Sequence, residues 1–224
     1  MSKYTQLELM LLAQKIVSTE DNKDELIGYE ILSRNAEKKH ILISHTIAQL
    51  EKNAQGYLLD NQVLKNIYKE KVKEQNLFIN CTNSFLYTKN IEIGLMNLRR
   101  LKDYDNNITI EISESHLGWN RTQSLRSIWE LKNLGYHIAL DDFVSNSKFS
   151  FFDLVLIEPE FIKISRPSLI KMNELSLKNL IKTINYCTPK TKIIIEGVSN
   201  VALLSKAKRV GGDCLQGFLI HEPS

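Results

Sequence analysis

Two adjacent carboxylates, Asp141 and Asp142, close an apolar run that reads YHIAL, and packing alone gives no reason to put them there. A strand of β-favouring residues pins its last side chains, so the pair stands at a strand exit where a divalent cation is a natural counter-charge. Seen alone, such a pair more often supplies the cap of the next helix. The pattern repeats, however. Asn80 follows LFI, Glu111 follows ITI, Lys163 follows FI, Glu196 follows KIII and Gln216 follows CL. Each is a residue able to ligate a metal ion or to hold or move a proton. Glu30 and Arg34 in YEILSR, and Glu114 in EISE, extend the set. Individually, Asn80 reads as a turn former, Glu111 as half of a solvated pair with Glu114, and Lys163 as a solvent-facing residue between two isoleucines. Their joint recurrence at strand ends carries the argument.

The elements that must position these residues follow from the apolar spacing. Residues 7–17 suit a strand or a short helix, and 26–32 a strand, so the first pair reads as a hairpin. Helical spacing runs over 38–73 with a break near 53–56, and again over 84–101, 121–134, 167–186 and 199–210. Strands are predicted at 77–81, 108–112, from Tyr136, at 161–165 and 192–198, and in LQGFLI near the end. Strand starts recurring every 20 to 30 residues or so are what repeated strand-helix units produce. An open sheet would gather its ligands at one switch point, whereas these candidates lie on many strands. The fold class is therefore α/β, a TIM-like (β/α)8 barrel that brings them over one mouth, with one antiparallel strand near the N-terminus.

Composition bounds the function. A chain of 224 residues with 43% hydrophobic and 25% charged content is expected to form one domain spanning 1–224. A formal charge of +3 argues for no DNA or RNA duplex and no anionic membrane surface. Three unpaired cysteines, no leader-like N-terminus and no long apolar span give the expectation of a cytoplasmic protein. The five histidines have no helical zinc spacing, and Gly211-Gly212 reads as a turn.

In order and local wording, these motifs resemble the EAL domain family, the phosphodiesterases that open cyclic di-GMP, from about residue 9 to the end. Glu30-Ile31-Leu32 stands in place of the motif that names the family. The resemblance implies metal-dependent hydrolysis of cyclic di-GMP to linear pGpG in bacterial signalling, with two divalent cations, Mg2+ or Mn2+. It makes Glu30, Asn80, Glu111, Asp141 and Asp142 metal ligands, and Arg34 a phosphate-binding residue. It gives Lys163, Glu196 and Gln216 catalytic roles and makes Glu114 the support of the loop after Asp142. It also implies a homodimer.

The chain departs from the family pattern in several places. Val144-Ser145-Asn146-Ser147-Lys148 replaces a glycine-containing loop, with one extra residue before Lys163. Ser165 and Ser199 stand where the family carries Asp and Glu, and the chain ends at 221–224, before the helix that usually covers the barrel. These changes motivate an alternative, a catalytically weak or inactive member that senses cyclic di-GMP or docks on a protein partner.

Overall fold

The computed structural model describes residues 9–20, 25–36, 43–73, 75–113, 120–144 and 150–224. Eight strands close a barrel in sequence order: β1 Leu9–Ser18, β2 Leu26–Asn35, β3 Asn76–Asn80, β4 Asn107–Ser113, β5 His137–Asp141, β6 Phe161–Ile164, β7 Lys192–Ile195 and β8 Cys214–Gln216. β1 runs antiparallel to both β2 and β8, and every other neighbouring pair is parallel. The expected barrel and its hairpin start are both present. After β8 the chain lies along β1, with Ala13 and Ser224 exchanging backbone hydrogen bonds of 2.9 and 3.2 Å.

The helices are α1 Ser44–Glu51, α2 Gly56–Lys69, α3 Thr88–Lys102, α4 Arg121–Asn133, α5 Phe151–Ile157, α6 Arg166–Lys171, α7 Glu174–Cys187 and α8 Val201–Val210. None of them is long and apolar enough to cross a membrane. Their apolar faces and the outward faces of the strands form the main core, which includes Ile79, Ile110, Ile138, Ile162, Ile193, Leu98 and Ile184. Burial of each such side chain contributes about 1.5–3 kcal/mol. A second, smaller cluster of Ile16, Phe78, Ala139, Ile194 and Cys214 fills the barrel interior.

Three local features differ from the sequence expectation. The helix expected over 84–101 begins instead as a 3-10 turn, Asn83–Leu86, and restarts at α3 after an extended Tyr87. The Ser84 hydroxyl, which donates to Glu51 at 2.7 Å and accepts from the Tyr57 backbone at 2.9 Å, draws that turn onto α1 and α2. The helix expected over 167–186 is broken at Met172, whose backbone is extended. The Asn173 side chain then caps α7 by accepting from the Ser176 N–H at 2.8 Å.

Helix α5 has no counterpart in the strand-helix spacing above, because one short element hides between two strands. Its start was nevertheless written in the chain as Ser150-x-x-Asp153. The Ser150 hydroxyl accepts from the Asp153 N–H, and the Asp153 carboxylate accepts from the Ser150 N–H at 2.7 Å, a reciprocal capping box. Arg121 at the start of α4 pairs with the same fully buried Asp153 carboxylate. Asp153→Ala is expected to lose the bonds its carboxylate accepts from Ser150 and Arg121 while the Ser150 hydroxyl still accepts from the backbone of residue 153, costing roughly 2–4 kcal/mol. A thermal melt should then fall by about 5–10 °C.

Candidate active site

Alternation along each strand explains how the chain builds one polar layer over an apolar one. Ile16, Phe78, Ala139, Ile194 and Cys214 point into the barrel, so the side chains two positions away must do so as well. On the parallel strands those positions, toward the C-terminal end, are Asn80, Asp141, Glu196 and Gln216. On β1, which runs the other way, the position is Gln14, before Ile16. Strand register adds Glu30 opposite Phe78 and Lys163 opposite Ile194, while Glu111 lies opposite both Asn80 and Ala139. Catalytic groups of such barrels sit on this face, at the C-terminal ends of the strands.

Asp142 escapes the alternation. Its φ of +54° places it in the left-handed region, and its N–H donates to the Asp141 carboxylate at 2.9 Å. An extended residue there would point away from Asp141, but this turn folds the second carboxylate back. Ligand atoms of Asp141, Asp142 and Glu196 consequently lie within 4.8 Å of one another. The Phe143 N–H is held by the Lys163 carbonyl at 3.0 Å, which fixes the turn to β6.

Lys163 is the hub. Its Nζ lies 2.8 Å from both Glu111 Oε1 and Glu196 Oε1, 3.1 Å from Glu30 Oε2 and 3.9 Å from Asp141 Oδ1. Burial favours the neutral amine, but Glu111, Glu196, Glu30 and Asp141 together hold the ammonium protonated well above the ordinary lysine range. Burial also pushes the Glu30 carboxyl upward, yet Lys163 and the amides of Gln216 and Asn80 outweigh it and hold the group below its ordinary value. Asn80 Nδ2 donates to Glu30 Oε1 at 2.8 Å, and Gln216 Nε2 donates to Glu30 Oε2. Burial drives Glu111 well above the carboxylate range, aided by the Glu30 charge. Glu196 is raised to about 8 by burial, with repulsion from Asp141 and Glu30 opposing the pull of Lys163.

Four carboxylates thus share one ammonium, and a fifth, Asp142, adjoins two of them. Glu111 is 1% exposed, and neither of its oxygens receives a well-directed hydrogen bond from a described donor, although Lys163 stands at ion-pair distance. Buried oxygens short of donors beside a cluster of further carboxylate ligands fit hard divalent cations, which take oxygen ligands. Glu30, Asn80, Glu111, Asp141, Asp142 and Glu196 supply that donor set.

Two pockets flank the cluster, the first lined by Asn80 and the second by Glu30, which are hydrogen-bonded to each other. The first, about 330 Å³, has walls of Ile31, Ile43, Ile47 and Leu59, carries Arg34 and Asn80, and includes the acids Glu51 and Asp60. Glu51 and Asp60 are 8% and 6% exposed, and Glu51 Oε2 has no hydrogen-bond partner among the described residues. Burial and the nearby Glu51 charge raise Asp60 to about 7 despite bonds from the Thr82 hydroxyl and N–H. The second pocket, about 310 Å³, is bounded by Arg166, Ser165, Ser199 and Phe218, with Glu30 and Glu196 on its inner side.

Of the residues singled out from sequence, Glu30, Asn80, Glu111, Asp141, Asp142, Lys163, Glu196 and Gln216 come together. Arg34 lines the first pocket, where its Nη1 donates to the Ser33 carbonyl at 3.0 Å. Glu114 and positions 145–148 of the altered loop lie outside the described residues. Sequence reasoning passed over Gln14, which is 7% exposed, accepts from Gln216 Nε2 at 3.0 Å and donates to the His221 carbonyl at 3.0 Å. An amide alternating with Ile16 on a barrel strand was the available signal. Gly217, directly after Gln216, is set by contact: a Cβ there would lie 2.3 Å from the Val198 nitrogen, so the bend after Gln216 admits only glycine.

The EAL domain model matches residues 5–223. The chain belongs to the EAL domain family. Within it, the chain is 34% identical over 123 residues to the cyclic di-GMP phosphodiesterase PdeA of Borreliella burgdorferi, a match covering 52% of this chain and 18% of that protein. The chain therefore spans a minor part of that relative's length. Among solved EAL-type structures, the PaMucR phosphodiesterase in complex with c-di-GMP superposes with a TM-score of 0.80 at 22% identity, covering 96% of each chain. The manganese and cyclic di-GMP complex of Klebsiella pneumoniae BlrP1 gives a TM-score of 0.79 at 18% identity, over 98% of this chain and 56% of that one. At such identities these two likenesses establish the EAL barrel fold.

Proposed function

We propose that this protein is a divalent-metal-dependent phosphodiesterase that opens cyclic di-GMP to linear pGpG. The observation that carries the reading is the convergence of four carboxylates on a single buried ammonium, with Asp142 beside two of them, at the mouth of an EAL barrel. Family membership and the named activity of the Borreliella relative support it. Glu30, Asn80, Glu111 and Asp141 would hold one cation, and Asp142 and Glu196 would serve a second, with Asp141 shared. When bound, such ions neutralise phosphate charge and make a water nucleophilic near neutral pH.

The chain's own groups do the positioning. Lys163, held protonated, donates to the attacking water and turns its remaining lone pair toward phosphorus. Gln216 sits beside Glu30 with a buried Oε1 that has no partner among the described residues, free to accept from that same water. Arg34 offers a planar fork to a phosphate oxygen at the rim of the first pocket. The acids Glu51 and Asp60 suit guanine, whose N1–H and N2–H groups need acceptors.

Two tests follow. Purified protein with Mn2+ or Mg2+ should release pGpG, separable by chromatography, and Glu30→Ala should not; equal traces from both would end the catalytic reading. Asp60→Asn should raise KM for cyclic di-GMP roughly tenfold with kcat little changed, the loss of about one charged hydrogen bond. Because Asp60 titrates at about 7, KM of the unaltered enzyme should rise as pH falls through that value and the acceptor is protonated.

A further inference from the structure

Along the seam where β8, β1 and β2 meet, two amides form a hydrogen-bond chain whose direction is fixed at both ends. Gln14 lies opposite Glu30 in the register of β1 and β2, and two residues before Ile16, the partner of Gln216 on β8. At one end the His221 carbonyl accepts from Gln14 Nε2 at 3.0 Å, and at the other the ionised Glu30 carboxylate accepts from Gln216 Nε2. Both end groups can only accept, so each must face the nitrogen of its amide. The Gln14 oxygen is thereby turned toward Gln216, where it accepts the second N–H of that amide at 3.0 Å.

Both donors of the Gln216 amide are engaged in this way, and its Oε1 is left buried without a partner among the described residues. A single N–H bond lets an amide swing about it, whereas two bonds to fixed acceptors set its plane and so the direction of its oxygen. Gln216 and Gln14 are both buried, which keeps bulk water from taking over either bond. The outer anchor is held by main chain. Leu219 N–H donates to the Val198 carbonyl at 3.0 Å, His221 N–H donates to the Gly217 carbonyl at 2.9 Å, and Ser224 is bonded to Ala13, the residue before Gln14.

We propose that Gln14 is a positioning residue for the reaction, fixing the plane of the Gln216 amide so that its Oε1 faces the attacking water. The inference rests on the phosphodiesterase reading and adds to it the group that aims one of the residues it uses. Gln14 lines the second pocket with Gln216 and Glu30, yet both its polar atoms are bonded within the protein, so it acts through Gln216. Gln14→Met keeps an unbranched side chain of similar length and removes both bonds. The Gln216 amide then turns about its bond to Glu30, and the water loses an aimed acceptor. Groups that bind the nucleotide and the cations are untouched.

The test compares the parent, Gln14→Met, Gln216→Met and the double variant, each loaded with Mn2+ and supplied with cyclic di-GMP. Gln14→Met should lose about tenfold to a hundredfold in kcat, the cost of a misplaced group, with KM within about twofold of the parent. In the Gln216→Met background the same change should cost no more than about twofold further, because its effect passes through that amide. Independent, multiplying losses overturn the proposal. So do kinetics equal to the parent's, or a raised KM at constant kcat, which makes Gln14 a substrate contact.

A second measurement needs no turnover. The side-chain amide protons of Gln216, assigned in NMR spectra by their disappearance in Gln216→Met, should exchange with solvent about tenfold faster in Gln14→Met, while backbone amides of β7 keep the parent's rates. Unmoved side-chain exchange, or a general rise along the backbone, overturns the proposal. If the parent opens no cyclic di-GMP, the phosphodiesterase reading fails by itself, and the exchange rates alone decide whether Gln14 fixes the amide. Should Gln14→Met not fold, Gln14→Leu takes its place with the same expected outcomes.

Discussion

Lys163→Ala is expected to remove turnover by at least a thousandfold and, in metal-free protein, to lower the melting temperature by about 10 °C. The first effect follows from the position of Nζ, within 3.9 Å of four carboxylates at the mouth where the proposed reaction takes place. The second follows from charge. Removing one member of a buried ion cluster costs about 3–5 kcal/mol because its partners remain buried. A chain of this size loses about 2–4 °C for each kcal/mol. Millimolar Mn2+ should restore much of the lost stability but none of the activity, since a cation can replace the ammonium's charge but not the hydrogen bond proposed to orient the attacking water. Turnover by the Ala variant within tenfold of the parent would remove Lys163 from the reaction.

The unaltered protein should itself respond to metal. Saturation to a hundred times the dissociation constant stabilises by about 2.7 kcal/mol, read as a rise of about 5–10 °C in the melt. The rise should shrink sharply in Asp141→Asn and in Glu196→Gln. The pH trend of the metal-free chain has a definite sign. Glu196 titrates at about 8 in the fold against 4.5 when unconstrained, so between those values the folded chain holds a proton that the unfolded chain has released. Stability without metal should therefore fall as pH rises from about 5 to 8. With metal present the trend should reverse, because protons compete for the same oxygens. A melt indifferent to Mn2+ at pH 7.5 would count against a cation site of any kind.

Most of this site was legible in the sequence because barrel geometry turns a one-dimensional pattern into a place. Strand ends converge, so Asn80, Glu111, Asp141, Lys163, Glu196 and Gln216 could be placed together from spacing alone. Gln14 escaped because β1 runs backwards: its functional position precedes the apolar interior residue instead of following it. Glu51 and Asp60 escaped for another reason. On isolated helices they read as solvent-facing acids, and only the turn carrying Thr82 and Ser84, packed across both helices, buries them. The break at Met172 and the whole of α5 were lost to shortness. A helix of two turns leaves too few periodic positions to register, although the Ser150–Asp153 cap marks where α5 begins.

The closure of β8 against β1 sets the order in which the molecule can become competent. Glu30 is steadied by Gln216, 186 residues later, and Gln14 by the same amide across 202 residues. Such long-range closures are paid for late in folding, after local helices and strand pairs have formed. During synthesis, Glu30, Glu111 and Asp141 emerge well before the strand that completes their ring, a stage at which their charges repel without a template. Competence to capture the proposed cation would therefore arrive with the last strand, and metal affinity measured during refolding would serve as a clock for barrel closure.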